Sequence, residues 1–358
     1  MGAADKKILV IKMSSLGDVM HTLPAVRTLR ANHPGASITW LVEEQYKDLL
    51  YNNPDVDEII VTRTRRWRKN WNLKTWREIR DTVQRLRQSR FDVALDLQGL
   101  LKTGVIAWLS GAPKRIGFHR KNCREPINAL FTNKRASFVN QGSHVVDIYL
   151  NLIKLLGGNQ KITQPHALQV PEEKASAVNA FFREQPELSA KPIAAINAGA
   201  GFATKQWKLD RFAKLADQIS KELGFSILLA WGPGEKAMAE QIAGEMKERS
   251  WIAPPTTIQE SIALFRHIAL LVSCDSGPLH LAAAMGIPTV SIFGPTDPAR
   301  NGPYGDNHQL VCKELPCSFC WKKQCPLSTH ECMETVNVDE VFAAVKTSVS
   351  RFGNAAAK

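Results

Sequence analysis

No run of 18 or more apolar residues occurs in this 358-residue chain, so nothing in it has the length of a transmembrane helix. No loop ends in Gly-Lys-Ser or Gly-Lys-Thr, which excludes a P-loop, and Gly199 and Gly201 lack the third glycine of a dinucleotide fingerprint. No internal repeat is visible. Acidic residues are in deficit: 34 Asp and Glu stand against 46 Lys and Arg, a net charge of +12. That balance favours an anionic partner, whether a phosphorylated substrate, a nucleic acid or an acidic membrane surface. A strand predicted at 7–11 leaves no room for a signal peptide, so a cytoplasmic location is expected.

What is present is enough apolar residue, 44% of the chain, to bury two ordinary cores. Apolar runs alternate with amphipathic stretches from end to end, which predicts an α/β fold of parallel sheets with right-handed crossovers. In the first half the pattern gives strands at 7–11, 37–42, 58–61, 91–96 and 115–117. Helices are predicted at 20–32, 46–51, 74–89, 100–109 and 144–156. A charged, proline-bearing stretch at 170–191, which includes a helix, reads as the connection. A second series follows, with strands at 193–197 and 226–231 and helices at 209–223, 235–247 and 258–266. The expected domains are 1–172 and 190–337, with a last helix in 338–358 packing back on the first domain.

Four segments have the form of a strand followed by a polar loop and a helix, where open α/β sheets bind ligands. In Leu270–Pro288 an apolar run ends in Asp275-Ser276-Gly277, Pro278 opens an alanine-rich helix and His280 adds polar reach. Backbone N–H groups at such a helix start suit a phosphate. In Lys12–Pro24 the loop carries one carboxylate, Asp18, which reads equally as a helix cap or as a general base. In Asn197–Trp207, Thr204 and Lys205 follow small residues, and Lys205 is either a solvated loop lysine or a point charge for a pyrophosphate. In Trp231–Glu235, Glu235 either caps a helix or accepts ribose hydroxyls.

Two further stretches stand apart. The basic-aromatic run from Arg63 to Trp71 has no periodicity and reads as an exposed loop suited to phosphates or an anionic membrane. Five of the seven cysteines lie at Cys312, Cys317, Cys320, Cys325 and Cys332, with His330 among them. The Cys-x-x-Cys pair fits a structural zinc knuckle, but the regular two-pair spacing is lacking, and reduced thiols packing a loop are the expectation.

Ordered motifs tie these pieces together: Ser14-Ser15-Leu16-Gly17-Asp18 with His21-Thr22-Leu23-Pro24, Asp96-Leu97-Gln98-Gly99-Leu100-Leu101-Lys102, Asp275-Ser276-Gly277-Pro278-Leu279-His280 and Phe293-Gly294-Pro295-Thr296-Asp297-Pro298. In this order they resemble the family 9 glycosyltransferases, the lipopolysaccharide heptosyltransferases, from Ile8 to about Val345. The resemblance implies a GT-B fold of two Rossmann-like doubly wound domains across a cleft. It implies inverting transfer of heptose from ADP-heptose to lipid A-linked inner core, with no cofactor and no catalytic metal.

On this resemblance Asp18 and Lys205 are catalytic, as base and as pyrophosphate-binding lysine. Thr204, Lys205, Glu235, Asp275, Ser276, Gly277 and His280 hold the donor. Ser15, Arg65, Arg66, Arg68, Lys69 and Arg120 meet the acceptor. The basic loop is similar to the heptosyltransferase I branch and the cysteine cluster to the heptosyltransferase II branch. First transfer is the expected reaction, with second transfer or another family acceptor as the alternative. The protein is expected to be a monomer, peripheral to the inner face of the cytoplasmic membrane. A basic nucleotide- or nucleic-acid-binding protein is the reading from another class; no nucleic acid partner is expected.

Overall fold

The structure, a computed structural model, describes residues 6–140 and 142–353; residues 354–358 of the expected C-terminal segment lie outside these. The chain forms two compact units, Met1–Gln169 and Val170–Lys358, where the sequence reading puts the first boundary at 172.

The first unit is built on β1 (Lys7–Ile11), β2 (Ser37–Glu43), β3 (Glu58–Thr62), β4 (Val93–Asp96), β5 (Lys114–Gly117) and β6 (Lys134–Arg135). All pair in parallel, in the order β3-β2-β1-β4-β5-β6. The second unit holds β7 (Ile193–Asn197), β8 (Ser226–Leu229), β9 (Ser250–Ile252), β10 (Leu270–Cys274), β11 (Thr289–Phe293) and β12 (His308–Cys312). Their order, β12-β11-β10-β7-β8-β9, is also wholly parallel. Read from its β9 edge it repeats the first. Both are doubly wound Rossmann sheets.

Strands covered by helices on both faces need apolar side chains at successive positions, and the central strands supply them. Ile8, Leu9, Val10 and Ile11 are all fully buried, as are Leu271, Val272 and Cys274. The chain reverses its direction of winding beside the first strand of each sheet, where β1 pairs with both β2 and β4, and β7 with both β8 and β10. At the carboxyl ends Ile11 lies beside Asp96, and Asn197 beside Ser273. Loops leaving these four strands carry the polar motifs.

Three helices matter for the first unit: α1 (Leu16–Asn32), α2 (Thr64–Lys69) and α3 (Leu73–Gln88). α1 starts earlier than the predicted 20, because Ser15 caps it and Leu16 already belongs to its first turn. The run from Arg63 to Trp71, expected as a loop, contains α2. Arg, Lys and Trp are acceptable helix formers, and the missing periodicity reflects a helix with no buried residue rather than the absence of a helix. The sequence pattern also missed β6, β9 and β12; the first is only Lys134–Arg135, and all three are sheet edges.

In the second unit the helix Val338–Gly353 places Val341, Phe342 and Val345 in the same core as Trp207, Phe212 and Ile292. These apolar residues are thus buried within the helix's own unit. Trp207 is 2% exposed, meets Phe212 edge to face at 5.0 Å, and donates from Nε1 to the Val336 carbonyl at 2.9 Å. It therefore joins the loop after β7 to the start of the last helix. Trp207→Ala is expected to destabilise the second unit by about 3–5 kcal/mol, read as a lowered urea midpoint; a midpoint shift worth under 1 kcal/mol would show the contact to be incidental.

Candidate active site

In the first unit the site begins with a lysine the sequence does not advertise. Lys12 follows β1 and is 2% exposed, so its ammonium must be surrounded by oxygen. It donates to Asp18 Oδ1 at 3.2 Å, to the Leu97 carbonyl at 2.9 Å and to the Tyr149 hydroxyl at 2.5 Å, which uses all three of its N–H bonds. Asp18 Oδ2 accepts from the Ser15 N–H and hydroxyl, both at 2.9 Å. The carboxylate therefore caps α1 with one oxygen and pairs with a buried cation through the other. Its side chain remains 30% exposed.

Burial alone would raise the Asp18 carboxyl. The Lys12 ammonium, the Ser15 hydrogen bonds and His21 together outweigh it, and the group is held well below the usual carboxylate range. The Asp96 motif braces the same loop. Gln98 Oε1 accepts from Met13 N at 2.8 Å and Ser14 N at 3.2 Å, while its Nε2 donates to the Ser14 carbonyl at 2.5 Å. Asp96 itself is buried and takes hydrogen bonds from Gln98 N, Gly99 N, Thr103 Oγ1 and Asn128 Nδ2.

The basic residues expected at the acceptor have different settings. Arg65 reaches Gln45 Oε1 at 3.0 Å and Arg66 pairs with Glu78, while Arg68, Lys69 and Arg120 are exposed. Lys102 Nζ approaches Thr64 Oγ1 at 3.4 Å, which links the Asp96 motif to α2; burial, with Arg65 and Arg68 adding repulsion, depresses this amine.

In the second unit Lys205 and His280, two of the expected donor residues, converge on a third, Asp275. Lys205 Nζ lies 2.5 Å from Asp275 Oδ2, which also accepts from Thr296 Oγ1 at 2.6 Å; His280 Nε2 is 3.3 Å from Asp275 Oδ1. Burial opposes ionisation of Asp275, but His280 and Lys205 outweigh it and hold its carboxyl well below the usual range. Ser276 caps the helix Gly277–Ala284, its Oγ accepting from Leu279 N at 3.4 Å. Glu235 Oε2 accepts from Gly232 N at 2.8 Å and lies against Gly199 so closely that a Cβ there would overlap the carboxylate. Thr204 faces elsewhere: its Oγ1 donates to the Lys322 carbonyl at 2.8 Å, and its own carbonyl contacts His330 Nε2 at 2.6 Å.

Those two hydrogen bonds dock the cysteine-rich segment on the Lys205 loop. Cys317, Cys320, Cys325 and Cys332 line one small pocket with His330. All the cysteines are free thiols, and among the described residues no three His, Cys, Asp or Glu side chains are grouped to hold a metal. Burial, then the neighbouring thiols, pushes Cys332 up to about 11.

Sequence reasoning missed Lys12, Tyr149, Gln98 as a brace, and Thr296. Lys12 and Thr296 sit inside quoted motifs, but nothing in the pattern marks them as ligands of a carboxylate. Tyr149 lies in a helix read only for its apolar face.

Two Rossmann-like units with ion-paired polar loops at their winding reversals define a protein of the doubly wound, ligand-binding α/β class, here in the two-domain GT-B form. The chain belongs to glycosyltransferase family 9 (heptosyltransferase), whose family model matches residues 79–330. It is 32% identical over 91% of its length to lipopolysaccharide heptosyltransferase 1 of Pseudomonas aeruginosa, covering 89% of that protein. Among solved structures, the family 9 glycosyl transferase from Veillonella parvula superposes with a TM-score of 0.85 at 22% identity, covering 98% of this chain and 99% of that one. The E. coli heptosyltransferase WaaC with ADP superposes at 0.75 and 24% identity, covering 96% and 99%.

The Lys12–Asp18 pair has a pH signature. The folded carboxyl lies below its unfolded value of about 3.9, so the pair stabilises the first unit above that pH and loses its effect as pH falls further. Lys12→Met is expected to lower the urea midpoint at pH 7 and to flatten its decline between about pH 5 and 2. Parallel midpoint curves for the two proteins would show that the pair contributes nothing.

Proposed function

We propose that the protein transfers L-glycero-D-manno-heptose from ADP-heptose to the 3-deoxy-octulosonate of lipid A, with inversion at the anomeric carbon. The observation that carries this reading is the Asp18 carboxylate, ionised and partly exposed in the first turn of α1, in a chain matched over 91% of its length by a heptosyltransferase 1. The first unit takes the acceptor and the second the donor.

Asp18 acts as general base. A carboxylate this acidic barely deprotonates a resting hydroxyl. It accepts the proton late, once the acceptor oxygen is bonding to the anomeric carbon and has become acidic itself. The bond from that carbon to the β-phosphate breaks, and its electron pair leaves with ADP. General-base help of this kind supplies about 10²–10⁴-fold. Charge arriving on ADP meets Lys205 and the N–H groups opening the helix at Gly277, already oriented by Asp275, Ser276 and His280. Glu235 accepts from the ribose hydroxyls, and Thr204 fixes the Lys205 loop. No cofactor or catalytic metal enters this scheme.

On the acceptor side Ser15, Arg65, Arg66, Arg68, Lys69 and Arg120 meet the phosphates and acidic sugars. The protein works as a monomer at the inner face of the cytoplasmic membrane. Among the described residues no helix is long and apolar enough to cross a membrane.

The test is transfer from ADP-heptose to purified 3-deoxy-octulosonate–lipid A, with a heptosylated acceptor in parallel. Product on the unheptosylated acceptor alone is expected. Product only on the heptosylated one moves the protein to second transfer, and product on neither removes the proposal. Asp18→Asn is expected to lower kcat at least about 10²-fold while ADP affinity stays within about twofold. Normal turnover in that variant would strip Asp18 of its role.

A further inference from the structure

Residues 63–90 carry eleven Lys and Arg against two acids, a net of +9 out of the chain's +12. They fold as a two-helix hairpin, α2 and α3, joined at Asn70–Asn72. Only part of its charge is answered locally. Arg63 pairs with Glu44, Arg66 with Glu78, Arg80 with Asp81 and Arg85 with Glu58. Arg68, Lys69, Lys74 and Arg77 make no ion pair among the described residues.

The tip of this hairpin is apolar. Trp71, Leu73 and Trp76 are 65%, 78% and 58% exposed. The two indoles lie 5.4 Å apart at 56°. The tip is held in shape by side-chain-to-backbone hydrogen bonds: Asn72 Oδ1 accepts from Thr75 N at 2.9 Å, and Thr75 Oγ1 donates to the Asn70 carbonyl at 2.6 Å. From Trp76 the apolar row continues along α3 through Ile79 and Val83, lining an open groove flanked by Arg80, Arg87 and Arg90. Exposed tryptophan and leucine ringed by unpaired cations match the interfacial zone of an anionic bilayer, where indoles sit at headgroup depth and cations meet phosphates.

We infer that the α2–α3 hairpin seats the protein on an anionic phospholipid surface, with Trp71, Leu73 and Trp76 entering the headgroup layer and Lys74 and Arg77 bound to lipid phosphates. This deepens the reading above, because a lipid-anchored acceptor lies in such a surface. It names residues distinct from those assigned to the acceptor or to chemistry. A nucleic acid also attracts this charge, but exposed Leu73 at the tip has no role there.

The experiment is co-sedimentation of the full chain with phosphatidylcholine vesicles, with and without phosphatidylglycerol, without donor or acceptor. The wild-type protein is expected to bind the anionic vesicles, to bind neutral ones at least tenfold more weakly, and to show blue-shifted tryptophan emission on binding. Trp71→Ala, Leu73→Ala and Trp76→Ala together should weaken binding at least tenfold while the thermal midpoint is unchanged. Lys74→Glu with Arg77→Glu should weaken it at least as much, at roughly fivefold per cation lost. The triple variant should keep wild-type kcat on a water-soluble, deacylated acceptor. Undiminished vesicle binding by the triple variant, equal binding to neutral vesicles, or preferential binding to polynucleotide over vesicles would overturn the inference. Vesicle binding without heptosyl transfer would leave the hairpin's role standing and remove the catalytic reading; transfer without vesicle binding would do the reverse.

Discussion

A parallel sheet covered by helices on both faces has little room for charged side chains except at the ends of its strands. That constraint organises this protein. The central strands are apolar at successive positions, so the charged and hydroxylic groups appear where β1, β4, β7 and β10 stop. At those ends the chain turns away to opposite sides, and the loops diverge enough to leave a ligand space. The same strand order in both units makes the same kind of place twice.

Each place is organised by a lysine–aspartate pair, with the roles exchanged. In the first unit the cation is the deeper partner: Lys12 lies at 2% exposure behind Asp18. In the second the anion is deeper, and Asp275 with Thr296 and His280 backs the more accessible Lys205. A buried charge needs its partner, so the inner residue fixes the outer one in position. One unit thereby presents a carboxylate and the other an ammonium. In the proposed reaction the first takes the acceptor's proton and the second meets the departing diphosphate.

Much of this was legible from the chain. The strands β1 and β7 and the helix Leu209–Leu223 have bounds that the apolar pattern states directly, because buried elements leave their period in the sequence. Short edge strands such as Lys134–Arg135 bury little and leave none. α2 was missed for the same reason: a helix with no buried face has no apolar stripe. In the sites, the loop residues announced themselves by lying between strand and helix. Lys12 did not, since a lysine after an apolar strand usually points to water, and its partner Tyr149 is 137 positions away. Long-range pairs of this kind belong to topology rather than to local pattern.

The uneven spread of charge has a further consequence. With +9 on residues 63–90, the other 330 residues share only +3. The molecule is thus less a uniformly basic body than a nearly neutral one with a strong electric moment. Such a body gains little from its total charge far from an anionic plane, yet it turns in the field as it nears one, hairpin first. Orientation at contact is then set before any specific contact forms, over a distance of about one Debye length, roughly 8 Å at physiological ionic strength.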